Sequence, residues 1–254
     1  MTVTTISTIE QYIHDLLNVN QFDDYCPNGL QIQGVTEVKL IVGGVTASQA
    51  LIDQAIELGA DAILVHHGYF WKGEDSRIIG MKYQRVKRLI NAGISLLAYH
   101  LPLDAHESLG NNAGLARALG FSDEGGFGAR AGIDIARLGR LDKAVSGEQL
   151  AVNIASALGR TPLFISAHER PVERVGWCTG AAESYIEQAA SLGLDAYISG
   201  EVSEHTFHAA RELGIHYYAA GHHATERFGV QDLGQHLAEK FNLDFNFLDS
   251  DNPV

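Results

Sequence analysis

The sequence predicts an α/β protein made of two similar α/β halves, an internal pseudo-repeat with mostly parallel strands. Two observations predict it. Short apolar runs alternate with amphipathic helical stretches along the chain, the pattern of a parallel sheet with crossover helices. One such stretch also recurs: KLIVGGVTASQALIDQAIELGADAILVHHG (Lys39–Gly68) is echoed by ERVGWCTGAAESYIEQAASLGLDAYISGE (Glu173–Glu201).

In the first stretch, Leu40–Val42 reads as a short buried strand broken by Gly43-Gly44. Thr46 followed by Gln49 fits a capping box, so a helix is expected to start there. Ala50, Leu51, Ile52, Ala55, Ile56 and Leu58 supply its apolar face, Gly59 ends it, and Ala62–Val65 is the next strand. The echo places Val175-Gly176, Thr179, Leu192-Gly193 and Asp195-Ala196 at the matching points. RLINAGISLLAYH (Arg88–His100) and RELGIHYYAAGH (Arg211–His222) extend it with helix, glycine and strand in the same order. The stretch between the halves starts Gly-rich, as a loop. A strand near Gly132–Leu138, a helix from Ser146 to Leu158 capped by Ser146 and Gln149 and ended by Gly159, and a strand over Thr161–Ser166 follow. The expected division is 1–125 and 126–254, with the chain ends free to cross between halves.

Composition narrows the class. The chain has 254 residues, 46% hydrophobic and 19% charged, with 5 prolines, an ordinary globular make-up. A net charge of −13 argues against binding a nucleic-acid backbone through the overall field, while leaving room for a local nucleotide pocket. Cys26 and Cys178 form no C-x-x-C and suggest a reducing compartment. The opening residues lack the basic and apolar regions of a signal peptide, and no apolar run reaches the roughly 18 residues of a membrane span. A cytoplasmic, soluble protein with no membrane partner is expected.

The strands that follow the LG-x-D turns end in His66-His67 and in Gly200-Glu201. The next strand of each half ends in a His and an acid four residues apart, His100–Asp104 and His222–Glu226. Open parallel sheets collect ligands at the carboxyl ends of their strands, where all these residues fall. Imidazole and carboxylate together suit zinc, iron, manganese or nickel. Four His and two acids exceed one tetrahedral shell and suit two divalent ions per chain. Two such ions outweigh the two carboxylates in charge, which favours a bound hydroxide and a small anionic substrate. His222 and Glu226 share a face where a helix starts. Pro102 makes a loop or a first helical turn the expected form of His100–Asp104. His66 and His67 would face opposite ways in mid-strand and converge because Gly68 lets the chain turn. Tyr69, Trp71 and Lys72 are candidate substrate contacts, a ring to stack on a base and an ammonium to meet a phosphate. Glu201 is a candidate general base. His14, His106, His168 and His236 read as ordinary positions; His205 and His208 lie on an apparent helix, and His223 turns away from its neighbour.

PNGLQIQG, GVTAS, DAILVHHGYFWKGE, YHLPLDAH, GNNAGLA, ISGEVSEHT and AAGHHATER together resemble the NIF-three-like family of dinuclear metal proteins. The similarity is to the short bacterial YbgI-type branch, whose members carry the label type 2 homologue of GTP cyclohydrolase I. It runs from about Asp24 to Asp249. The resemblance implies two α/β halves with metals between them and a ring-shaped homohexamer. It implies metal ligation by His66, His67, Asp104, His222 and Glu226, with His100 a sixth ligand. The label points to hydrolytic opening of a purine ring through a metal-bound hydroxide. A phosphoesterase, or a metal-bearing assembly or protein-interaction module without catalysis, stays open as an alternative. No G-x-x-x-x-G-K-[ST] loop or G-x-G-x-x-G turn is present to cradle a nucleotide phosphate in the conventional way.

Overall fold

The computed structural model describes Thr4–Val254. In chain order its elements are α1 (Ile6–Leu16), β1 (Gly29–Ile32), β2 (Leu40–Thr46), α2 (Gln49–Glu57), β3 (Ala62–His67), α3 (Gly80–Ala92), β4 (Ser95–Ala98) and α4 (Leu101–Ala105). There follow α5 (Asn111–Leu119), β5 (Phe121–Arg130), β6 (Ile133–Val145), α6 (Gly147–Leu158), β7 (Leu163–Ile165), β8 (Val172–Cys178), α7 (Ile186–Ser191), β9 (Ala196–Ser199) and α8 (Glu204–Leu213). The last are β10 (His216–Ala219), α9 (His222–Thr225), α10 (Arg227–Phe241) and β11 (Asp244–Phe247).

Two compact units result. One takes the described residues up to Leu103 together with Gly229–Ser250; the other takes Asp104–Phe228 and Asp251–Val254. Residues 125 and 126, the division expected from the sequence, lie inside β5. The first unit holds a five-stranded sheet in the order β1-β4-β3-β2-β11. β11, β2, β3 and β4 run parallel, and β1 closes the edge antiparallel to β4. The second unit holds a six-stranded sheet in the order β5-β6-β8-β9-β10-β7. Its centre, β8-β9-β10, is parallel, with β6 and β7 flanking it antiparallel. Each unit therefore carries a strand–helix–strand–helix–strand run with parallel neighbours, the mixed α/β architecture that the periodicity predicts.

Each sheet is sealed by its own core. Val42, Ile63, Val65 and Leu96 of the first sheet pack with Ile52 and Ala55 of α2 and Leu89 of α3. In the second, Val175, Trp177, Ile198 and Tyr218 pack with Leu150, Ile154 and Leu158 of α6 and Leu115 of α5. Burying side chains of this size contributes about 1.5–3 kcal/mol each before entropy is counted.

Several local expectations change. β2 runs straight through Gly43-Gly44, whose missing side chains make room: a Cβ would sit 2.7 Å from the Phe245 ring at Gly43 and 2.6 Å from Leu51 at Gly44. The glycines allow close packing and do not break the strand. α2 starts two residues late, because Ser48 and not Thr46 accepts the amide of Leu51. The Gly-rich stretch read as a loop is strand β5, a ten-residue partner of β6. α6 is capped by Ser146, which accepts from Gln149, and ends at Gly159, as the spacing predicts.

Candidate metal centre

In the first unit, β3 ends in His66 and His67, and β4 is followed two residues on by His100. One ligand atom from each of these three imidazoles lies within 4.8 Å of the others. Ring centroids are 4.7 Å apart for His66–His67 and 5.0 Å for His66–His100. Gly68 assists by size and not by a left-handed turn, since a Cβ there would lie 2.2 Å from Gln31 Oε1; the positive φ belongs to Phe70.

Each ring is held through Nδ1. His66 Nδ1 bonds the Tyr99 carbonyl at 2.9 Å, His67 Nδ1 meets Thr46 Oγ1 at 3.2 Å, and His100 Nδ1 meets Asp24 Oδ1 at 2.7 Å. Asp24 also accepts from Leu101 N at 2.9 Å and Asn28 Nδ2 at 2.8 Å, while Asn28 Oδ1 accepts the His100 amide at 2.7 Å. Burial acts to raise the Asp24 carboxyl, but the His100 bond and charge with the Asn28 and Leu101 bonds outweigh it, so the group lies below its ordinary range. Cys26 lies beside Asp24 and His100. Burial, with Asp24 next, pushes its thiol up to about 12.

The second unit gathers the acids. α4 forms one short helical turn despite Pro102, which sits early enough in it to be tolerated, and this turn carries Asp104. Asp104 is 5% exposed, and its Oδ1 accepts from Asn111 Nδ2 at 2.8 Å and Thr179 Oγ1 at 3.2 Å. Asn112 bridges the same region, donating to the Asp104 and Ile135 carbonyls and accepting from Thr179 N. Glu226, 3% exposed, follows α9, and a carboxylate oxygen of Asp104 lies within 4.8 Å of one from Glu226. His222 Nε2 is 3.1 Å from Glu226 Oε2, and its Nδ1 is 2.6 Å from Glu201 Oε1. Burial opposes charge on His222, yet Glu226 and then Glu201 raise it to about 9. At Gly180 a Cβ would lie 2.1 Å from Glu226 Oε1 and 3.3 Å from His222 Nε2, so the cradle exists only because this residue lacks one.

The donor chemistry fits divalent ions. Burying two carboxylates within 4.8 Å of each other is costly unless positive charge offsets them. Three converging imidazoles with Nδ1 engaged present Nε2, the usual arrangement of histidine ligands.

The model of the family Duf34/NIF3 (NGG1p interacting factor 3) matches residues 4–253. The chain belongs to the Duf34/NIF3 family. Among its Duf34/NIF3 relatives, a Pseudomonas aeruginosa protein named GTP cyclohydrolase 1 type 2 homolog is 52% identical over 249 residues, covering 98% of each chain. A Vibrio cholerae protein of the same name is 53% identical, covering 97% of this chain and 98% of its own. A solved structure of the protein ybgI, described as of unknown function, superposes with a TM-score of 0.95 at 50% identity, over 98% of this chain and 100% of that one.

The remaining candidates fall in different places. Tyr69 is 5% exposed and its hydroxyl donates to the Ala47 carbonyl, so its ring belongs to the core of the Duf34/NIF3 chain's first unit. Trp71 is half-buried, with its centroid 5.0 Å from His100 and 5.9 Å from His67. Lys72 is exposed, and its amide donates to the Tyr25 carbonyl. His205 and His208 bond to Ser203 and Glu204 of their own helix start. Asp24, Asn28, Asn111, Asn112 and Thr179 were not among the expected site residues. The signal of the three asparagines lay in PNGLQIQG and GNNAGLA, polar residues set against apolar runs. Among the described residues no helix is long and apolar enough to cross a membrane.

Proposed function

We propose that the chain is a metal-dependent hydrolase with two divalent ions, held by His66, His67, His100, Asp104, His222 and Glu226. The substrate proposed is a small anion, a nucleotide or related ring compound. The observation that carries this reading is the buried Asp104–Glu226 pair, whose mutual repulsion a cation offsets. When bound, the ions would polarise a substrate oxygen and lower the pKa of a water.

The chain's own residues supply the rest. Trp71 offers an aromatic face beside His67 and His100 for a base to stack on. Lys72 offers an exposed ammonium to a phosphate. The names of the relatives favour ring opening of GTP as the first reaction to assay. A homohexamer in the cytoplasm is part of the proposal.

The test is metal content per chain after purification without added metal, with hydrolysis of GTP and a panel of phosphate esters in the presence of manganese, zinc or iron. About two ions per chain, with turnover that His66→Ala abolishes, is the expected result. Two ions without turnover on any compound would replace the hydrolase with a metal-bearing interaction module. No bound metal would overturn the reading. Light scattering reports the oligomer in the same preparation.

A further inference from the structure

The four imidazoles proposed as ligands do not have equal backing. His66 and His67 lean on neutral oxygens, the Tyr99 carbonyl and the Thr46 hydroxyl. His100 and His222 lean on carboxylates, at 2.7 Å and 2.6 Å, the shortest of the four contacts. These are also the two histidines that stand four residues before an acid, at Asp104 and Glu226. The backing groups come from unrelated places in the fold. Asp24 sits on the loop before β1, and Glu201 on the loop after β9. Each unit thus holds one carboxylate-backed imidazole, with the carboxylate at a different place in the unit.

We propose that Asp24 and Glu201 are positioning residues for metal binding: each accepts the Nδ1 proton of its histidine, His100 or His222, and so fixes Nε2 as a ligating nitrogen of raised donor strength. The inference rests on the metal-binding reading above. It gives Glu201 a partner on the protein itself, in place of the general-base role expected from the sequence. A carboxylate behind a ligating imidazole fixes the tautomer and ring orientation and strengthens the donor, and its loss typically weakens metal binding about 10- to 100-fold. The two sites differ in rigidity. The Asp24 side chain is 3% exposed and holds three groups besides the ring, Tyr25 N, Asn28 Nδ2 and Leu101 N. Glu201 is 40% exposed, and its side chain has the His222 ring as its hydrogen-bond partner. Glu201 is therefore the cleaner position to test.

The experiment titrates zinc against a competing chelator in the full chain, for wild type, Glu201→Gln, Asp24→Asn and Thr46→Val. Gln and Asn keep the shape and an acceptor oxygen, so a packing role would be served equally well by either. The expected result is zinc affinity lower by about 10- to 100-fold in Glu201→Gln and Asp24→Asn, with less than tenfold loss in Thr46→Val. Glu201→Asp, which restores the charge, recovers part of the loss. Thermal unfolding of the metal-free chains checks the fold, and Glu201→Gln is expected to match wild type. Wild-type affinity in Glu201→Gln overturns the inference and leaves the metal reading standing. A wild-type chain that binds neither zinc nor manganese nor iron overturns both.

Discussion

Thr179 and Asp104 stand 75 residues apart in sequence, and Thr179 Oγ1 donates to the same Asp104 oxygen that Asn111 Nδ2 reaches at 2.8 Å. Two donors from different elements, the end of β8 and the start of α5, thus hold one buried carboxylate in a single orientation. Asn111→Ala removes the shorter of the two bonds in a fully buried place. A cost of about 1–3 kcal/mol in unfolding free energy is expected, together with lower metal content. Urea unfolding and elemental analysis measure both, and unchanged metal content would mean that the orientation of Asp104 is not needed for binding.

Gly180 has φ +68°, and its hydrogen faces Glu226 and His222. Gly180→Ala adds backbone strain and a methyl that displaces Glu226 Oε1. The expected outcome is a folded chain, less stable by about 1–3 kcal/mol, with strongly reduced metal binding. Circular dichroism and metal analysis together check it. Retained metal with lost stability would confine the effect of the methyl to the backbone.

His216 provides a pH dependence remote from the proposed ligands. Burial, with the tilted His168 ring 3.9 Å away between centroids, lowers its pKa from 6.5 to about 4. Glu148 and Asp195 act in the opposite sense, Arg170 in the same one. Its Nδ1 accepts the Ala167 amide at 3.1 Å, a bond that protonation would remove. The unfolded chain takes up this proton near pH 6.5 and the folded chain only near 4, so stability is full above 6.5 and falls as the pH drops between these values. The maximum loss is about 3 kcal/mol. His216→Asn is expected to flatten the slope of stability between pH 7 and pH 5, and an unchanged slope would assign it to other groups.

The periodic features of the chain were legible and the one-off contacts were not. β3, α6 and the His66–His67 end of β3 follow from apolar period, caps and strand polarity, which local sequence encodes. The path of β2 through Gly43-Gly44 is hidden from local sequence, because a glycine pair signals a turn locally, whereas here the Phe245 ring, some 200 residues away in sequence, requires the space. β5 is hidden for a similar reason: its glycines are tolerated because β6 supplies a partner along its length, with one irregularity between Asp123 and Gly125. Asp24 left no periodic trace, since its role is set by four hydrogen bonds to loop, strand end and imidazole, and no pattern in sequence marks a carboxylate that will be buried.

The aromatic residues after His67 separate core from candidate contact, and two substitutions test the separation. Tyr69→Phe deletes a buried hydroxyl that donates to the Ala47 carbonyl at 2.8 Å. About 1 kcal/mol of stability is expected to go, with KM for a hydrolysed nucleotide unchanged. Trp71→Ala removes a half-buried ring next to His67 and His100 whose indole donates to the Gly68 carbonyl at 3.2 Å. If that ring stacks on a base, KM rises by about 5- to 150-fold, equivalent to 1–3 kcal/mol, with a smaller change in kcat. A phosphate ester without an aromatic ring serves as the control, because its KM should not depend on Trp71. Equal losses for both substrates would show that Trp71 supports the imidazoles and does not hold the base.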